Sequence, residues 1–338
     1  MRYFVTGATG FVGGAVTRQL LERGHQVVTI ARDLDKAADL QRLGVEVARG
    51  DITDKETMRE PMRGADGVFH IAAWYKIGAD DSHVAEGINV VGTRNVLELM
   101  RELGIPKGVY TSTLAVFSDT HGRLVDESYY HPGPWLSEYD RTKWLAHYRV
   151  ALSMIGEGLP LAIVQPGMIY GPGDQGPAHQ IWVQYLQRRL PVVPKGAAYC
   201  WGYIDDMAHA HILAMEKGRP GRTYIIAGPP QYLSRALQMA QEITGVPAPR
   251  IRIPPPVMKG MAALVGRLER FVRLPSTFRA ESLRASGGVT YLGSSNRARR
   301  ELGFNPRPIR EGLRLTMLWE MQQLGIEIPP TPRASVLP

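Results

Sequence analysis

The stretch Tyr3-Phe-Val-Thr-Gly-Ala-Thr-Gly-Phe-Val-Gly-Gly14 decides the fold of this chain. Phe4 and Val5 predict a short buried strand, and apolar residues recur with helical period over 11–21. Between them lie three glycines at three-residue spacing: Gly7, Gly10 and Gly13. Glycine lets the backbone approach a phosphate, and a helix N-terminus offers free N–H groups and a positive dipole end. The glycines alone fit a tight turn equally well, but with the strand and the helix they predict a dinucleotide site.

The composition is that of an ordinary globular protein, with 338 residues, 44% hydrophobic and 21% charged. This length allows one large domain or two unequal domains around a cleft. The single cysteine, Cys200, excludes an intramolecular disulfide, and we expect a core thiol in a reducing compartment. We expect no signal peptide, and no apolar run approaches the about 18 residues that span a bilayer. The chain is therefore expected to be cytoplasmic, with no membrane partner.

The net charge of +8 comes from the C-terminal quarter of the chain. Residues 251–338 hold 14 Lys and Arg against 6 Asp and Glu, whereas the first 250 residues hold 26 of each. Such an excess fits an anionic substrate or a nucleic-acid surface, and it also fits solvated arginines on amphipathic helices. Because no nucleic-acid-binding motif accompanies the excess, we expect no nucleic-acid partner.

Strands and helices alternate along the first half of the chain. After the first helix, strands are predicted at 26–30, 45–48, 67–71, 108–112 and 161–165, with helical runs at 89–103 and 138–155. This rhythm predicts an α/β fold, a doubly wound parallel sheet with helices on both faces. We assign 1–165 to this dinucleotide-binding domain, with part of 200–228 returning to it. A smaller, mostly helical substrate lobe then covers 166–325, and 326–338 form a tail.

The end of the second strand carries the residue that reads the adenosine ribose in such sheets. An acidic residue there binds the ribose hydroxyls, whereas an arginine pairs with a 2′-phosphate. Arg32 stands at that position and Asp33 follows one residue late, which favours NADP(H) and keeps NAD(H) as the alternative. Arg32 equally fits a solvated strand end. Asp51, after the third strand, is placed either to accept from the adenine amino group or to cap the next helix.

Tyr139 and Lys143 form a Tyr-x-x-x-Lys pair on one face of a predicted helix. A free tyrosine has a pKa of about 10, and a fixed positive charge beside it lowers that pKa. Such a pair can exchange a proton with a carbonyl group opposite a hydride, although alone it is a common pattern. Thr113, with Ser112 as second choice, offers a hydroxyl to the substrate oxygen. Asn89 is placed to support Lys143 directly or through a water, or else to be a helix cap or surface amide.

Together these motifs resemble the extended short-chain dehydrogenase/reductase family. That family contains nucleotide-sugar epimerases and dehydratases, 3β-hydroxysteroid dehydrogenases and dihydroflavonol-reductase-like enzymes. The resemblance covers residues 1–325 and includes His70-Ile-Ala-Ala73, Asn89-Val-Val-Gly-Thr93, Gln165-Pro-Gly-Met-Ile-Tyr-Gly-Pro-Gly-Asp174 and Gly202-Tyr-Ile-Asp-Asp-Met-Ala208. It implies a Rossmann fold, an NAD(P) cofactor and Tyr139 as acid/base. Lys143 would also bind the nicotinamide ribose, and Thr113 would hold the substrate.

The resemblance and the predicted strand ends together define the cofactor site and the partners. The expected cofactor-binding residues are Thr6, Gly7, Gly10, Phe11, Val12, Gly13, Arg32, Asp51, Ile52, Ala72, Ala73, Thr111, Tyr139, Lys143, Pro166, Gly167, Met168 and Ile169. No metal site is predicted. In the family, helices such as 89–103 and 138–155 often pair across a homodimer, and a buried role within one chain is equally possible.

Two features of the sequence favour simple hydride transfer over sugar chemistry. Sugar-modifying members of the family usually carry an asparagine after the sixth strand, and 165–170 contain none. Dehydratases tend to have acidic residues after the catalytic threonine, whereas Leu114 and Ala115 follow here. Two departures, Thr113 in place of serine and Gln165 in place of arginine, leave the chemistry intact. We therefore expect an oxidoreductase acting on a carbonyl or secondary alcohol.

The expected substrate is a small, fairly apolar molecule. Candidate substrate-binding residues are Trp74, Tyr75, Thr113, Tyr129, Trp135 and Met168, which ordinary core and lid packing would also explain. One alternative is a nucleotide-sugar 4-epimerase or dehydratase with tightly bound NAD. Another is a cofactor-sensing protein without catalysis, against which the presence of Tyr139 and Lys143 argues.

Overall fold

A seven-stranded parallel sheet forms the centre of the computed structural model, which describes residues 1–78, 81–269 and 279–327. Its strands are β1 (Arg2–Thr6), β2 (Gln26–Ala31), β3 (Glu46–Arg49), β4 (Gly67–His70), β5 (Gly108–Thr111), β6 (Leu161–Pro166) and, later in the chain, β10 (Thr223–Ile226). Their spatial order is β10-β6-β5-β4-β1-β2-β3, and every neighbouring pair is parallel. The predicted doubly wound sheet is confirmed, and its topological switch point lies between β1 and β4.

Helices cover both faces of this sheet. They are α1 (Phe11–Glu22), α2 (Ala38–Arg42), α3 (Glu56–Met62), α4 (Ser82–Glu86), α5 (Thr93–Glu102), α6 (Glu138–Trp144), α7 (Leu152–Gly156) and, later, α9 (Ile204–Lys217). A π-helical segment, Gly87–Gly92, joins α4 to α5, and another, Leu145–Ala151, joins α6 to α7. The helical runs predicted at 89–103 and 138–155 are therefore continuous. The periodicity of the apolar residues did not indicate their π-helical turns.

Alternate strand residues build a core on each face of the sheet. Val5 and Phe69 lie in the core on one face, whereas Phe4 and Val68 lie in the core on the other. All four side chains are essentially inaccessible to solvent. Strands that are buried on both sides read as continuous apolar runs, which is why the sequence indicated them so clearly.

The chain after β6 adds short strands and further helices. The strands are β7 (Met168–Tyr170), β8 (Val192–Pro194), β9 (Ala198–Tyr203), β11 (Pro230–Tyr232), β12 (Ile251–Ile253) and β13 (Thr290–Tyr291). The helices are α8 (Pro177–Leu186), α10 (Leu233–Thr244), α11 (Pro255–Leu268), α12 (Ala280–Ser286), α13 (Asn296–Leu302) and α14 (Ile309–Gln323). Strand β9 pairs with β7, β11 and β13, which forms a second, small sheet beside the carboxyl end of β6.

The structure bears on two expectations about the later part of the chain, the burial of Cys200 and the C-terminal tail. Cys200 lies fully buried on β9, and burial raises the pKa of its thiol to about 11, as suits a core thiol. Most of the predicted tail, from residue 328 onward, lies outside the described residues. Within the described ranges, no helix combines the length and the apolar character that a bilayer crossing needs.

Candidate active site

The glycine turn after β1 leads directly into the N-terminus of α1. Gly7 has a φ of +76°, and the amide of Gly10 donates to the Gly7 carbonyl at 2.9 Å. Gly10 caps α1 without a side chain, so no cap covers the first N–H groups of the helix. A Cβ atom on Gly13 would lie 2.1 Å from the Gly7 oxygen. The turn therefore needs glycine at Gly13, and its free N–H groups suit an anion.

The ends of β1 and β4 meet beside this turn. The Thr6 hydroxyl accepts hydrogen bonds from the amides of Ile71 and Ala72, each at 3.1 Å. A Cβ atom on Gly7 would lie 2.9 Å from the Ala72 backbone nitrogen. The structure thus brings Thr6, Gly7 and Ala72 together at the switch point, where a dinucleotide crosses sheets of this kind.

The predicted adenosine end of the site lies at β2 and β3. Arg32 is exposed, whereas the Asp33 carboxylate accepts from the amide of Asp35 at 3.1 Å and lies 3.7 Å from the Lys36 ammonium. One carboxylate oxygen of Asp51 accepts from both the amide and the hydroxyl of Thr53, at 2.9 Å each. Asp51 therefore orders its own turn in this structure, and its adenine contact stays a prediction.

Tyr139 and Lys143 lie on α6, one turn apart. Lys143 is 2% exposed, and its Nζ donates to the Thr111 carbonyl at 2.8 Å and to the Tyr110 hydroxyl at 3.1 Å. Burial lowers the pKa of Lys143 to about 7. Burial raises the pKa of Tyr139, and a hydrogen bond from the Thr113 hydroxyl acts in the opposite direction. An ammonium, a phenol and a hydroxyl thus converge at the carboxyl end of β5, as acid/base chemistry on an oxygen substituent requires.

The structure separates Thr113 from the second choice, Ser112. Thr113 bonds Tyr139, whereas the Ser112 hydroxyl points to the Nδ1 atom of buried His147 at 2.8 Å. Only Thr113 of the pair therefore faces the phenol of Tyr139. Thr113 also accepts from the Ala115 amide at 3.1 Å, which fixes its rotamer at the start of a short 3₁₀ turn.

Asn89 is buried, which excludes the surface-amide alternative. Its amide group bonds the backbone amide and carbonyl of Trp74, at 2.8 and 3.0 Å, and the Thr142 hydroxyl at 2.9 Å. These bonds hold the loop after β4 against α6, and none of them reaches Lys143. The direct form of the predicted Asn89–Lys143 contact is therefore absent here, whereas a link through water stays a prediction.

The aromatic candidates for the substrate divide into two groups. The Tyr75 ring packs on the Tyr139 ring, with 4.5 Å between centroids, while its neighbour Trp74 is turned into the protein. Tyr129 packs on Phe117 and Trp135 on Trp144, with 5.6 and 5.3 Å between centroids. Both pairs belong to a separate core cluster. Of these rings, Tyr75 is therefore the one that packs against Tyr139, at a tilt of 49°. Met168 is half-buried on β7 and lies opposite Trp201 on β9.

Two tyrosines and a carboxyl group of this region were missed from the sequence. The Tyr291 hydroxyl donates to Asp140 at 3.2 Å, and the Tyr199 ring stacks parallel to the Tyr291 ring with 6.2 Å between centroids. Ser137 donates to the other Asp140 oxygen at 2.7 Å. Burial raises the pKa of Asp140 to about 7, with the charge of Glu281 acting in the same direction. Only the tertiary pairing of β13 with β9 brings these groups beside α6, so no local pattern indicated them.

The remaining predicted cofactor residues lie along the same edge of the sheet. Thr111 pairs its hydroxyl with the Nε2 atom of His211 at 3.0 Å, while its carbonyl holds Lys143. A Cβ atom on Gly167 would lie 2.1 Å from the Cys200 carbonyl, so glycine permits the close approach of the chain to β9. The others are Phe11 and Val12 in the first turn of α1, Ile52 after β3, Ala73 after β4, Pro166 at the end of β6 and Ile169 on β7.

The chain is similar to known proteins over most of its length. The model of the NAD dependent epimerase/dehydratase family matches residues 3–227. The chain is 34% identical to sterol demethylase protein B of Methylococcus capsulatus, over 94% of this chain and 98% of that protein. It is 36% identical to 2-alkyl-3-oxoalkanoate reductase of Stenotrophomonas maltophilia, over 93% and 98% of the two chains. The crystal structure of gox2253 superposes with a TM-score of 0.82 at 30% identity, over 96% and 99% of the two chains.

Proposed function

We propose, from the premise that this chain belongs to the NAD-dependent epimerase/dehydratase family, that it transfers a hydride between NADP(H) and a carbonyl or secondary alcohol. The chain is an NAD(P)-dependent oxidoreductase, and the finer choices of cofactor and substrate are our proposal. The observation that carries the proposal is that Tyr139 and buried Lys143 lie one turn apart on α6, with the Lys143 ammonium fixed by the Tyr110 hydroxyl at 3.1 Å and the Thr111 carbonyl at 2.8 Å. An oxygen substituent seated there meets two hydroxyl groups and a nearby ammonium.

The residues present fit a nicotinamide dinucleotide. The turn at Gly7, Gly10 and Gly13 keeps N–H groups free at the start of α1, and a side chain at Gly13 would fill the turn. When bound, the cofactor supplies or accepts the hydride. Thr113 orients the substrate oxygen, and Tyr139 gives that oxygen a proton in reduction or removes one in oxidation. Burial raises the pKa of Tyr139, and a hydrogen bond from the Thr113 hydroxyl lowers it, which favours the phenolate form.

The substrate is proposed to be an apolar molecule with a flat or ring-shaped part. The Tyr75 ring packs on the Tyr139 ring, and the stacked Tyr199 and Tyr291 rings reach α6 through the bond of Tyr291 to Asp140. Aromatic faces favour stacked, apolar partners. Two relatives bear names of enzymes that act on apolar compounds, a sterol demethylase protein and a 2-alkyl-3-oxoalkanoate reductase. The absence of an asparagine in 165–170 argues against a nucleotide sugar.

A substrate panel tests this proposal. We expect NADPH to bind reversibly and to support reduction of cyclic and alkyl ketones, followed at the nicotinamide absorbance. UDP-sugars should give no product with either cofactor when the sugars are separated and quantified, because epimerisation leaves the nicotinamide absorbance unchanged. Protein that is purified with NAD that does not exchange, and that interconverts UDP-sugars, would establish the epimerase alternative instead. The homodimer and the cytoplasmic location stay predictions.

The cofactor preference depends on Arg32. Replacing Arg32 by Ser is expected to weaken NADPH binding about 10-fold or more, because a charge-assisted pair with the 2′-phosphate is lost. The affinity for NADH should change less than about twofold. Both dissociation constants can be measured by quenching of protein fluorescence.

A matched control separates this local effect from a change in overall charge. Arg222 is exposed at the amino end of β10, away from the predicted cofactor edge. Arg222→Ser should leave both affinities unchanged. Equal losses for NADPH and NADH in Arg32→Ser would contradict the assigned role of Arg32.

A further inference from the structure

A buried network of polar side chains connects the glycine turn to Lys143. The Thr6 hydroxyl lies 2.9 Å from the Nδ1 atom of His70, and the Nε2 atom of His70 lies 2.9 Å from the Thr93 hydroxyl. The His70 ring stacks on the Tyr110 ring with 5.4 Å between centroids, a hydrogen bond with Thr93 lowers the pKa of Tyr110, and the Tyr110 phenol accepts from Lys143 at 3.1 Å. Each of these five residues is 2% exposed or less.

Counting the donors and acceptors assigns a direction to the first hydrogen bonds of this network. The Thr6 oxygen already accepts from the amides of Ile71 and Ala72, which fill its two lone pairs. Its own proton therefore goes to the Nδ1 atom of His70. His70 is neutral, because burial lowers its pKa to about 3 and the charge of Lys143 acts the same way. A neutral imidazole that accepts at Nδ1 carries its proton at Nε2, so His70 donates to the Thr93 hydroxyl.

The Tyr110 hydroxyl joins this network to Lys143. The Tyr110 oxygen accepts from Lys143, while the phenol keeps its own proton, and a hydrogen bond with the Thr93 hydroxyl lowers the pKa of this phenol. A lysine ammonium has three N–H groups, and those of Lys143 supply Tyr110 and the Thr111 carbonyl.

We infer that His70, Thr93 and Tyr110 are positioning residues, which present the Tyr110 phenol as a fixed acceptor for Lys143 and favour its charged form. The role of Lys143 in turnover rests on the proposed function, whereas this contact does not. The Tyr110 phenol is an acceptor that offsets the free-energy cost of burying the Lys143 ammonium. The same role accounts for the uncharged His70 between the hydroxyls of Thr6 and Thr93.

Four titratable side chains of the described residues bear on Lys143. Tyr139 and His147 lie on the same helical run as Lys143, while His70 and Tyr110 face it from β4 and β5. Burial, with the charge of Lys143, lowers the pKa of His147 to about 3, so this group is neutral as well. Burial raises the pKa of Tyr110, which keeps its phenol protonated. The protonation of Lys143 is therefore governed by burial, by Tyr110 and by the Thr111 carbonyl.

The test follows the titration of Lys143 in cofactor-free protein, by NMR of lysine isotope-labelled at Cε. Lys143→Met identifies the resonance. In Tyr110→Phe, which removes only the hydroxyl, we expect the pKa of Lys143 to fall by about one unit relative to wild type. Thr93→Val, which does not touch Lys143, should shift it in the same direction by less. Thr93→Ser restores the hydroxyl and should return the wild-type value.

Two control variants each remove a threonine or tyrosine hydroxyl that lies outside this network. Thr17→Val does so at a buried threonine on α1 whose hydroxyl has no hydrogen-bond partner in the described ranges. Tyr170→Phe does so at a buried tyrosine that bonds the Ile309 carbonyl. Neither should move the titration of Lys143. Thermal melts identify a variant that does not fold, in which case the milder Thr93→Val and Thr93→Ser pair decides.

A second measurement follows the pH dependence of kcat/KM. If turnover needs the Lys143 ammonium, activity is lost as the pH rises through the pKa of Lys143. A lower pKa in Tyr110→Phe then moves the alkaline loss of kcat/KM to a lower pH by about one unit. An unchanged Lys143 titration in both Tyr110→Phe and Thr93→Val, or equal values for Thr93→Val and Thr93→Ser, overturns the inference. An inactive substrate panel leaves the titration result standing and counts only against the proposed function.

Discussion

Replacing Tyr139 by Phe is expected to lower kcat at least about 10³-fold, since positioned acid/base groups contribute roughly 10²–10⁴-fold. The substitution removes only the hydroxyl that bonds Thr113, and the ring keeps its packing on Tyr75. The affinity for the dinucleotide should stay within about twofold, because the glycine turn and Lys143 are untouched. Steady-state kinetics together with a fluorescence titration of the cofactor measure the two quantities separately.

Tyr185 offers a matched control for this experiment. It is a buried tyrosine of α8 whose hydroxyl bonds the Thr244 hydroxyl and the Val246 carbonyl. Tyr185→Phe makes the same chemical change in the lobe and should leave kcat within about threefold of wild type. A Tyr139→Phe enzyme with preserved turnover would refute Tyr139 as the acid/base and leave Thr113 or a water to supply the proton.

Replacing Gly13 by Ala is expected to abolish measurable dinucleotide binding and to reduce the free energy of unfolding by about 2–3 kcal/mol. The added methyl group would lie 2.1 Å from the Gly7 oxygen and 2.6 Å from the Gly7 carbonyl carbon. Neither is the end of a flexible side chain, so the turn itself must move. Denaturant unfolding gives the stability, and cofactor titration gives the affinity.

A second glycine serves as the control for Gly13. Gly87 begins the π-helical segment between α4 and α5, and a Cβ atom there would meet no heavy atom within 4 Å. Gly87→Ala should therefore be neutral or stabilise the protein by up to about 1 kcal/mol, because alanine is the better helix former. If Gly13→Ala binds the cofactor as wild type does, the glycine turn is not the phosphate site.

The central sheet and the Tyr139–Lys143 pair were predictable because local pattern determines both. Strands buried on both faces read as apolar runs, and residues four apart on a helix must share a face. Thr113 followed because it ends a predicted strand. The positions of Tyr199 and Tyr291 follow from the pairing of two short strands that are distant in sequence, and no periodicity encodes such a pairing.

Asn89 and Asp140 show a different limit. Both residue types were visible in recognised motifs, but their partners depend on how the loop after β4 and strand β13 settle against α6. A polar side chain in a motif can bond several groups within reach, and its sequence position does not choose among them. Trp135 shows the same limit, because its packing on Trp144 depends on the course of the loop before α6, and its contact with substrate stays a prediction.

The Asp140–Tyr291 bond has a consequence for changing the enzyme's selectivity. Asp140 follows the proposed acid/base in the chain, so the strand that carries Tyr291 is fastened to the helical turn that aims the Tyr139 phenol. Redesign of the lobe around Tyr291 thus carries a risk of misdirecting the proton donor. Tyr75 lies outside this connection and packs on Tyr139 by ring contact alone. Libraries aimed at new substrates should therefore vary Tyr75 first and keep Tyr291 and Asp140 fixed.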